Sequence, residues 1–332
     1  MALITIIGAG SWGTALSSAL ASRGHSVKLW AFEKEVADSI RNYRENRLFL
    51  PGITLPENIT STTGLSEAIE GAEYVVTSMP SHVCRHLYEQ MLPFLCPEMI
   101  FISATKGLEI GSLMRMSEVI HSVIGKRFAP KLAALSGPSF AREVARGDPT
   151  AVVVASRDRH IAGTVQEGFS SRTLRLYASE DIVGVELGGA VKNVIAIAAG
   201  VIEGLGLGHN PMAALVTRGL AEMTRLACAC GGRSETLAGL AGMGDLVLTC
   251  TGDLSRNRRV GGELGRGRAL SDIIGSMRMV AEGVKTTEAT VALAERFGIE
   301  MPITNQVHHI LQGLISPRDA IWELMGRRLK TE

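Results

Sequence analysis

The sequence carries almost no net charge. Its 34 Lys and Arg residues stand against 33 Asp and Glu residues, which leaves a formal net charge of +1. A chain without an excess of positive charge has no overall field that would attract nucleic acid or an anionic membrane. We therefore expect no nucleic-acid partner, and any anion that the protein binds must be held by a local site.

Cysteines and long apolar runs are also scarce. The five cysteines form no Cys-x-x-Cys pair and have no histidine cluster at zinc spacing, so we expect reduced thiols, a cytoplasmic protein and no metal site. The longest uninterrupted apolar run, near Val194 to Ile202, is well short of the roughly 20 residues of a membrane span. No Lys or Arg precedes Arg23, which disfavours a secretory signal. The sequence thus favours a soluble protein without a membrane span.

Glycine and apolar residues are abundant instead. The 37 glycines require many tight turns or close backbone approaches, and an apolar share of 46% is enough for large cores. A length of 332 residues exceeds the usual size of one domain, so two domains are expected.

The first 180 residues alternate short β-branched runs with segments of helical periodicity. This pattern is typical of a doubly wound, Rossmann-type parallel sheet with helices on both faces, an α/β fold. The predicted strands are Leu3 to Ile7, Val27 to Trp30, Ile59 to Thr62 (the weakest), Tyr74 to Thr77, Ile100 to Ala104, Leu132 to Leu135, Ala151 to Ala155 and Leu174 to Tyr177. The predicted helices between them include Ser11 to Ser22, Val83 to Met91, Leu113 to Ile124 and Arg159 to Phe169.

Beyond about Glu180 the strand pattern fades and an all-helical domain is predicted. Its expected helices are 182–203, 211–230, 233–241, 256–265, 269–275, 285–297, 303–314 and 317–325. We expect a dinucleotide-binding domain over residues 1–181 and a helical substrate-binding domain over residues 182–332. The apolar segment from Ile182 to Ile202 is expected to connect the two and to form the core of the second.

A glycine motif follows the first strand. Gly8, Gly10 and Gly13 fit the G-x-G-x-x-G spacing and open a helix, which is the context in which this motif binds a dinucleotide pyrophosphate. Glu33 lies 20 residues beyond Gly13, where an acid can meet the adenosine ribose hydroxyls. The alternative is a glycine turn that binds no ligand.

Two further segments follow strands of the predicted sheet. Lys106 comes directly after the fifth strand, and Gly137 and Ser139 come after the sixth. Ligands of doubly wound sheets bind beyond the carboxyl ends of the strands, so these residues are expected at the crevice mouth. A surface lysine is the alternative interpretation of Lys106.

A lysine interrupts the apolar helix that begins the second domain. Burial of an ammonium group is costly, and burial with a nearby cation lowers a lysine pKa towards neutrality. Lys192 is therefore a candidate proton donor or acceptor. A lysine that is merely paired in the core explains the pattern equally well.

Asp245 and the string Ser255-Arg256-Asn257 supply further polar groups. Ser255 can cap a helix whose free N–H groups, with the Arg256 guanidinium and the Asn257 amide, converge on a phosphate. An ordinary capped, solvated helix and a nucleic-acid contact are the alternatives, and the second would need more basic neighbours.

Taken together, these strings resemble the soluble bacterial NAD(P)-dependent glycerol-3-phosphate dehydrogenases along essentially the whole chain. The strings that carry the resemblance are GAGSWGTAL from Gly8, ATKGLE from Ala104, SGPSFA from Ser136, VELGGAVKNVIAIAAG from Val185, TRGLAEM from Thr217, GMGDLVLTC from Gly242, SRNRR from Ser255 and MPIT from Met301. Eight strings in order are far more specific than any one of them.

The resemblance implies a role for individual residues. The implied cofactor contacts are Ser11, Trp12, Lys106, Ala141, Arg256, Val280 and Glu282, and the implied substrate contacts are Lys106, Gly137, Ser139, Lys192, Asp245, Ser255, Arg256 and Asn257. Lys192 matches the proton acceptor of the family. The resemblance also implies catalytic roles for Lys106, which would steady the developing oxyanion, and for Asp245, which would orient Lys192 or a substrate hydroxyl. Phe32 stands where similar enzymes often carry Arg or His, so the choice between NAD and NADP stays open.

The implied reaction interconverts dihydroxyacetone phosphate and sn-glycerol 3-phosphate with NAD(P)H and supplies glycerophospholipid synthesis. A homodimer acting on a phosphorylated triose is implied as well. Two alternatives remain at this point. One is a 3-hydroxyacid or sugar-acid dehydrogenase of similar plan, and the other is a non-catalytic nucleotide sensor, which would have no reason to keep Lys106, Lys192 and Asp245 together.

Overall fold

The first half of the chain forms one eight-stranded sheet. The computed structural model describes residues 1–277 and 281–329. The strands are β1 (Leu3–Ile7), β2 (Ser26–Trp30), β3 (Ile59–Thr62), β4 (Tyr74–Thr77), β5 (Ile100–Ser103), β6 (Lys131–Ser136), β7 (Thr150–Ala155) and β8 (Leu174–Ser179). Each of the eight predicted strands is confirmed.

The order of the strands is β3-β2-β1-β4-β5-β6-β7-β8. All neighbouring strands are parallel except β6 and β7, which are antiparallel. The carboxyl ends of β1 to β6 therefore share one edge of the sheet. The chain order reverses between β1 and β4, and it is at such a switch point that doubly wound sheets bind nucleotides.

Helices cover both faces of the sheet, as predicted. They are α1 (Ser11–Ser22), α2 (Lys34–Tyr43), α3 (Leu65–Ile69), α4 (Cys84–Met91), α5 (Met116–Ile124), α6 (Ala141–Arg146) and α7 (Arg159–Phe169). Alternate strand residues enter opposite cores, because successive side chains of a strand point to opposite faces. Ile6 and Ile102 pack with α1, α2 and α7, whereas Ile7 and Phe101 pack with α3, α4 and α5.

The second half of the described chain is helical, as predicted. Its helices are α8 (Ile182–Gly204), α9 (His209–Ala229), α10 (Ser234–Ala238), α11 (Asp245–Thr251), α12 (Arg256–Gly265), α13 (Leu270–Gly275), α14 (Glu282–Arg296), α15 (Pro302–Leu311) and α16 (Pro317–Met325).

Helix α8 is the central element of this half. The Asp181 side chain caps its start by accepting from the Gly184 N–H at 2.8 Å. Nearly every residue from Ile182 to Ile202 is buried, so the prediction that this segment forms the core is confirmed. By length and composition alone α8 could cross a membrane, yet it lies mostly inside the fold, as the core helix of a globular protein does.

One predicted helix is wrong. Residues 233–241 do not form a continuous helix: α10 ends at Ala238, a π-helical turn follows at Leu240–Gly244, and α11 begins at Asp245. Gly239 has extended backbone angles that end α10. A Cβ on Gly242 would lie 2.1 Å from the Leu237 carbonyl oxygen, so this tight return of the chain depends on glycine.

The predicted start of a second helix is also wrong. We expected a helix from Leu113, whereas α5 begins at Met116. Leu113 has a positive φ of 61°, and Arg115 is extended at the N-cap position. A left-handed residue cannot continue into a right-handed helix, which delays the start by one turn.

Candidate active site

The glycine motif has the geometry that a dinucleotide requires. Gly8 has a φ of +115°, and a Cβ there would lie 2.7 Å from the Ser78 carbonyl oxygen at the end of β4. A Cβ on Gly13 would lie 1.9 Å from the Gly8 carbonyl oxygen, so α1 packs on the loop only because this residue is glycine. Gly10 is the N-cap of α1 and faces open space. The loop thus offers helix N–H groups to an anion and room for its approach.

Ser11 and Trp12 form the first turn of α1. The Ser11 hydroxyl donates to the Phe49 carbonyl at 2.6 Å. Trp12 packs with Ala141, the first residue of α6, in a small apolar cluster on Ala15 and Val144. The indole N–H of Trp12 is buried without a partner among the described residues, which leaves a donor at the edge of the anion site. These residues fit a dinucleotide better than an empty glycine turn.

The adenosine end of the motif lies beyond β2. Phe32 is 80% exposed and meets Trp30 edge to face. Glu33 is the partly exposed N-cap residue of α2. Arg47, which could have covered the ribose, instead stacks on Tyr43, with its guanidinium carbon 3.6 Å from the ring centroid, and pairs with Glu45. Phe32 and Glu33 therefore present an uncharged ring and a carboxylate just beyond the end of β2, where the spacing from the glycine motif predicts the adenosine ribose.

Three of the predicted catalytic residues meet at one point between the sheet and α8. The Lys192 Nζ lies 2.5 Å from Oδ1 of Asp245, and the Lys106 Nζ lies 2.7 Å from Oδ2 of the same carboxylate. Lys106 also donates to the Gly137 carbonyl at 3.0 Å. Asp245 is 1% exposed, so one buried carboxylate holds two lysines that come from the two halves of the chain.

The buried lysine has a strongly altered acidity. Burial lowers the pKa of Lys192 from its ordinary value to about 7, with the neighbouring Lys106 acting in the same direction and Asp245 opposing them. A lysine with such a pKa exchanges a proton near neutral pH, which an ordinary surface lysine does not. Both interpretations of Lys192 from the sequence therefore hold: the residue is paired with a carboxylate in the core, and it can also exchange a proton near neutral pH.

Two glycines set the position of Lys192 on α8. A Cβ on Gly188 would lie 2.5 Å from the Ala241 carbonyl oxygen, and one on Gly189 would lie 2.5 Å from the Ser136 hydroxyl oxygen. Two segments of the same chain therefore approach α8 closely at this pair of glycines. This approach brings α8 against the end of β6 and against the turn that precedes Asp245.

The segment after β6 lies beside the lysines. Gly137 has a φ of +137°, and a Cβ there would lie 3.0 Å from the Val152 Cα. The Ser139 hydroxyl donates to the Gly137 carbonyl at 2.9 Å. Gly137 and Ser139 thus lie at the carbonyl to which Lys106 donates. This is the edge formed by the carboxyl ends of the strands, where doubly wound sheets bind their ligands.

The predicted phosphate segment starts a helix, as expected. Ser255 is the N-cap residue of α12, and its hydroxyl accepts from the Arg258 N–H at 3.2 Å. Asn257 is buried, and its amide oxygen accepts from the Gly283 N–H at 2.9 Å, which leaves the amide NH₂ to donate. Arg256 keeps an exposed surface, although its surroundings desolvate the guanidinium enough to lower its pKa, an effect that Glu282 opposes.

A contact between the two halves borders this segment. Glu282 begins α14, and its carboxylate accepts from the Ser81 hydroxyl at 2.8 Å, beside Gly107. Burial raises the pKa of Glu282, while Ser81 and Arg256 oppose the shift. Glu282 therefore lies directly beside the loop that carries Lys106, and this contact joins the two halves of the chain. The predicted cofactor contact at Val280 lies outside the described residues.

Sequence reasoning missed one residue of the lysine cluster. The Thr249 hydroxyl accepts from Nζ of Lys192 at 2.7 Å and donates to the Asp245 carbonyl at 2.6 Å. Thr249 follows Asp245 by one helical turn on α11. The spacing i, i+4 would have revealed it, but no helix was predicted there.

Fold and site together define a two-domain dehydrogenase of the Rossmann class. The family model for the N-terminus of NAD-dependent glycerol-3-phosphate dehydrogenase matches residues 3–162, and the model for the C-terminus matches residues 181–322. The chain belongs to the family of NAD-dependent glycerol-3-phosphate dehydrogenases.

Individual relatives agree with this membership. A glycerol-3-phosphate dehydrogenase [NAD(P)+] of Koribacter versatilis is 60% identical and is matched over 100% of this chain and 99% of its own. One from Citrifermentans bemidjiense is 55% identical over 99% and 98% of the two chains. The crystal structure of glycerol-3-phosphate dehydrogenase from Coxiella burnetii has a TM-score of 0.93 at 40% identity, covering 98% of this chain and 99% of that one.

Proposed function

We propose that this protein interconverts dihydroxyacetone phosphate and sn-glycerol 3-phosphate, with NAD or NADP as the redox partner. The observation that supports this most directly is the buried Lys106–Asp245–Lys192 cluster, together with the glycine loop at the same edge of the sheet and the capped start of α12. A bound nicotinamide supplies or accepts the hydride. The residues of the chain bind and orient the cofactor and the substrate, and they exchange the proton.

Lys192 exchanges the proton at the substrate oxygen. In the direction of reduction its ammonium group donates to the oxygen of the ketone, and in the reverse direction its neutral amine accepts the hydroxyl proton. A pKa of about 7 makes both forms available near neutral pH. Asp245 and Thr249 fix the direction of Nζ from two sides.

Lys106 stabilises negative charge that develops on the same oxygen. Its side chain is 18% exposed, so Nζ is held by Asp245 and Gly137 and is also open towards the crevice. A fixed cation in a largely dry site stabilises a transition-state oxyanion more strongly than water does. The sheet thus provides the electrostatic group and α8 provides the proton.

The phosphate of the substrate lies against the start of α12. The free N–H groups of the first turn, the Arg256 guanidinium and the Asn257 NH₂ surround an anion at this point. Gly137 and Ser139 line the substrate side of the crevice. Contacts with the phosphate group thus hold the ketone carbon in place, although the phosphate is remote from the reacting carbon.

The dinucleotide would be held at the edge of the sheet where the carboxyl ends of the strands lie. Gly8 to Gly13, with Ser11 and Trp12, would hold its pyrophosphate, and Phe32 and Glu33 would hold its adenosine. Ala141, Arg256 and Glu282 would supply further cofactor contacts, and Lys106 would contact both cofactor and substrate.

The cellular setting is proposed from the same family membership. We place the enzyme in the cytoplasm, as a homodimer that supplies glycerophospholipid synthesis. We also divide the chain into a dinucleotide-binding domain, 1–181, and a substrate-binding domain, 182–332. The Asp181 cap, which starts α8 directly after the last strand, supports this boundary.

The reaction is tested by following the absorbance of the reduced nicotinamide. We expect rapid oxidation of NADH or NADPH with dihydroxyacetone phosphate and little with a panel of 2-keto acids. The α12 start is built for a dianion at one end of the substrate, whereas a keto acid carries a carboxylate beside the carbonyl. Preferential turnover of a keto acid would instead identify a hydroxyacid dehydrogenase of similar fold.

We expect the ratio of kcat/KM for NADH to kcat/KM for NADPH to be higher in this enzyme than in family members with Arg or His at the position of Phe32. Phe32→Arg adds a charge-assisted contact to a 2′-phosphate and should raise kcat/KM for NADPH about tenfold. Phe32→Leu is the matched control, since it removes the ring without adding charge. The measurement is kcat/KM for both cofactors. A strong NADPH preference of the unaltered enzyme, or no gain in Phe32→Arg, would refute this description of the pocket.

A further inference from the structure

An asparagine outside every predicted element contacts the glycine loop. Asn46 is 0% exposed and lies between α2 and β3. Its amide nitrogen donates to the Ala9 carbonyl and to Oγ1 of Thr14, both at 2.8 Å. Its amide oxygen accepts from the Phe49 N–H at 3.0 Å. The side chain is thus held at both ends and cannot be exchanged for another shape without loss of these bonds.

The segment formed by residues 46–50 is itself fixed over the loop. The Leu50 N–H donates to the Asn46 carbonyl at 2.9 Å. Leu50 is buried against Ala15 of α1, and the Phe49 carbonyl accepts from the Ser11 hydroxyl. Three hydrogen bonds and one apolar contact therefore connect segment 46–50 to the glycine loop and the first turns of α1.

The carbonyl that Asn46 contacts occupies a sensitive place in the loop. It belongs to Ala9, between Gly8, which packs against the end of β4, and Gly10, which faces open space. The Thr14 hydroxyl also donates to this oxygen, at 3.3 Å. In a trans peptide the carbonyl oxygen and the next N–H point in opposite directions. With the Ala9 oxygen held towards the interior, the Gly10 N–H is directed outwards, on the side where Gly10 meets open space.

We propose that Asn46 is a positioning residue for the dinucleotide, which keeps the Ala9–Gly10 peptide oriented so that the loop presents an N–H, and not a carbonyl oxygen, to the pyrophosphate. A carbonyl oxygen turned towards the phosphates would repel them, and glycine loops flip readily because glycine permits either orientation. Asn46 acts through the loop and does not itself contact the cofactor. The inference rests on the dinucleotide cofactor and not on the choice of substrate.

The substitution that tests the proposal most sharply is Asn46→Asp. Aspartate has the same shape but cannot donate to the Ala9 carbonyl, and its charge would repel both that oxygen and the pyrophosphate. Binding of NADH, NADPH and ADP-ribose is measured by titration without substrate. We expect the dissociation constant to rise about tenfold or more for all three ligands. The kcat at saturating NADH should stay within about threefold, because the catalytic lysines are untouched.

Two further variants separate positioning from general stability. Asn58→Ala is the matched control, because Asn58 also donates to two carbonyls, those of Ala21 and His25, at the other end of α1. It should leave the affinity for ADP-ribose unchanged. Thr14→Val removes the hydroxyl between Asn46 and Ala9 with little change of shape, and it should weaken dinucleotide binding in the same direction as Asn46→Asp.

The outcomes are distinct. Unchanged dinucleotide affinity in folded Asn46→Asp, or an equal loss of affinity in Asn58→Ala, would overturn the proposal. If Asn46→Asp does not fold, unchanged affinity in Thr14→Val overturns it instead. Because binding is measured without substrate, failure of the proposed reaction would leave these results intact.

Discussion

Lys192→Met is expected to lower turnover by about 10²- to 10⁴-fold, the range for loss of a general acid–base group. Methionine fills a similar volume in α8 but cannot exchange a proton. Asp245 keeps Lys106 as its partner in the variant, so no carboxylate is left buried without a cation and the fold should survive. Cofactor affinity should change little, because the glycine loop lies at the other end of the crevice.

The control for this variant is Lys131→Met, which removes an exposed lysine from the start of β6, at the far edge of the sheet. It should leave turnover unchanged. Circular dichroism establishes that Lys192→Met is folded, and the dissociation constant of NADH establishes that it binds the cofactor. Turnover within about tenfold of the unaltered enzyme would show that the proton comes from elsewhere.

The pH profile gives an independent readout of the same group. Since the pKa of Lys192 is lowered to about 7, the ammonium form that donates in reduction is lost as the pH rises above that value. kcat/KM for dihydroxyacetone phosphate should therefore fall above about pH 7, whereas oxidation of glycerol 3-phosphate, which needs the neutral amine, should rise through the same range. Both inflections should disappear in Lys192→Met.

Arg256→Ala should cost about 2–4 kcal/mol in kcat/KM with dihydroxyacetone phosphate, the scale for a charge-assisted contact. This corresponds to roughly 30- to 1,000-fold. The same variant should lose little with unphosphorylated dihydroxyacetone, because that substrate has no anion for the guanidinium to bind. Steady-state kinetics on the two substrates give the comparison directly.

Arg259→Ala is the matched control, because Arg259 lies one turn further along α12 and also has an exposed surface. It should change neither substrate's kcat/KM by much, since its guanidinium is one turn from the helix start. Equal losses of Arg256→Ala on both substrates would remove the phosphate role from Arg256. Equal losses in the two arginine variants would point to long-range attraction of an anion.

The strands and Lys106 could be predicted because their signals are local. Each strand is a short β-branched run, and the rule that ligands lie beyond the carboxyl ends of parallel strands led directly to Lys106. Lys192 stood out for the opposite reason, as a charge within an apolar helix. Both lysines could therefore be identified as site residues from the few residues that flank them in the sequence.

Thr249 and Asn46 could not be found in this way. Thr249 depends on α11, whose start is set by the close approach of Gly242 to Leu237, and this tight packing is tertiary. Asn46 lies in a connection without periodicity, and its partners Ala9 and Thr14 are more than 30 residues away in the chain. Residues that act by holding other residues leave no pattern of their own in a sequence.

The exposure of Phe32 separates the choice of cofactor from folding stability. A side chain that is 80% exposed can be replaced with little effect on folding stability, whereas replacement of Asp245, 1% exposed, would leave Lys106 and Lys192 without their shared carboxylate. A change of cofactor preference through position 32 should therefore leave the folding stability and the Lys106–Asp245–Lys192 cluster unaltered, so that the choice of cofactor and the chemistry of the site can be varied independently.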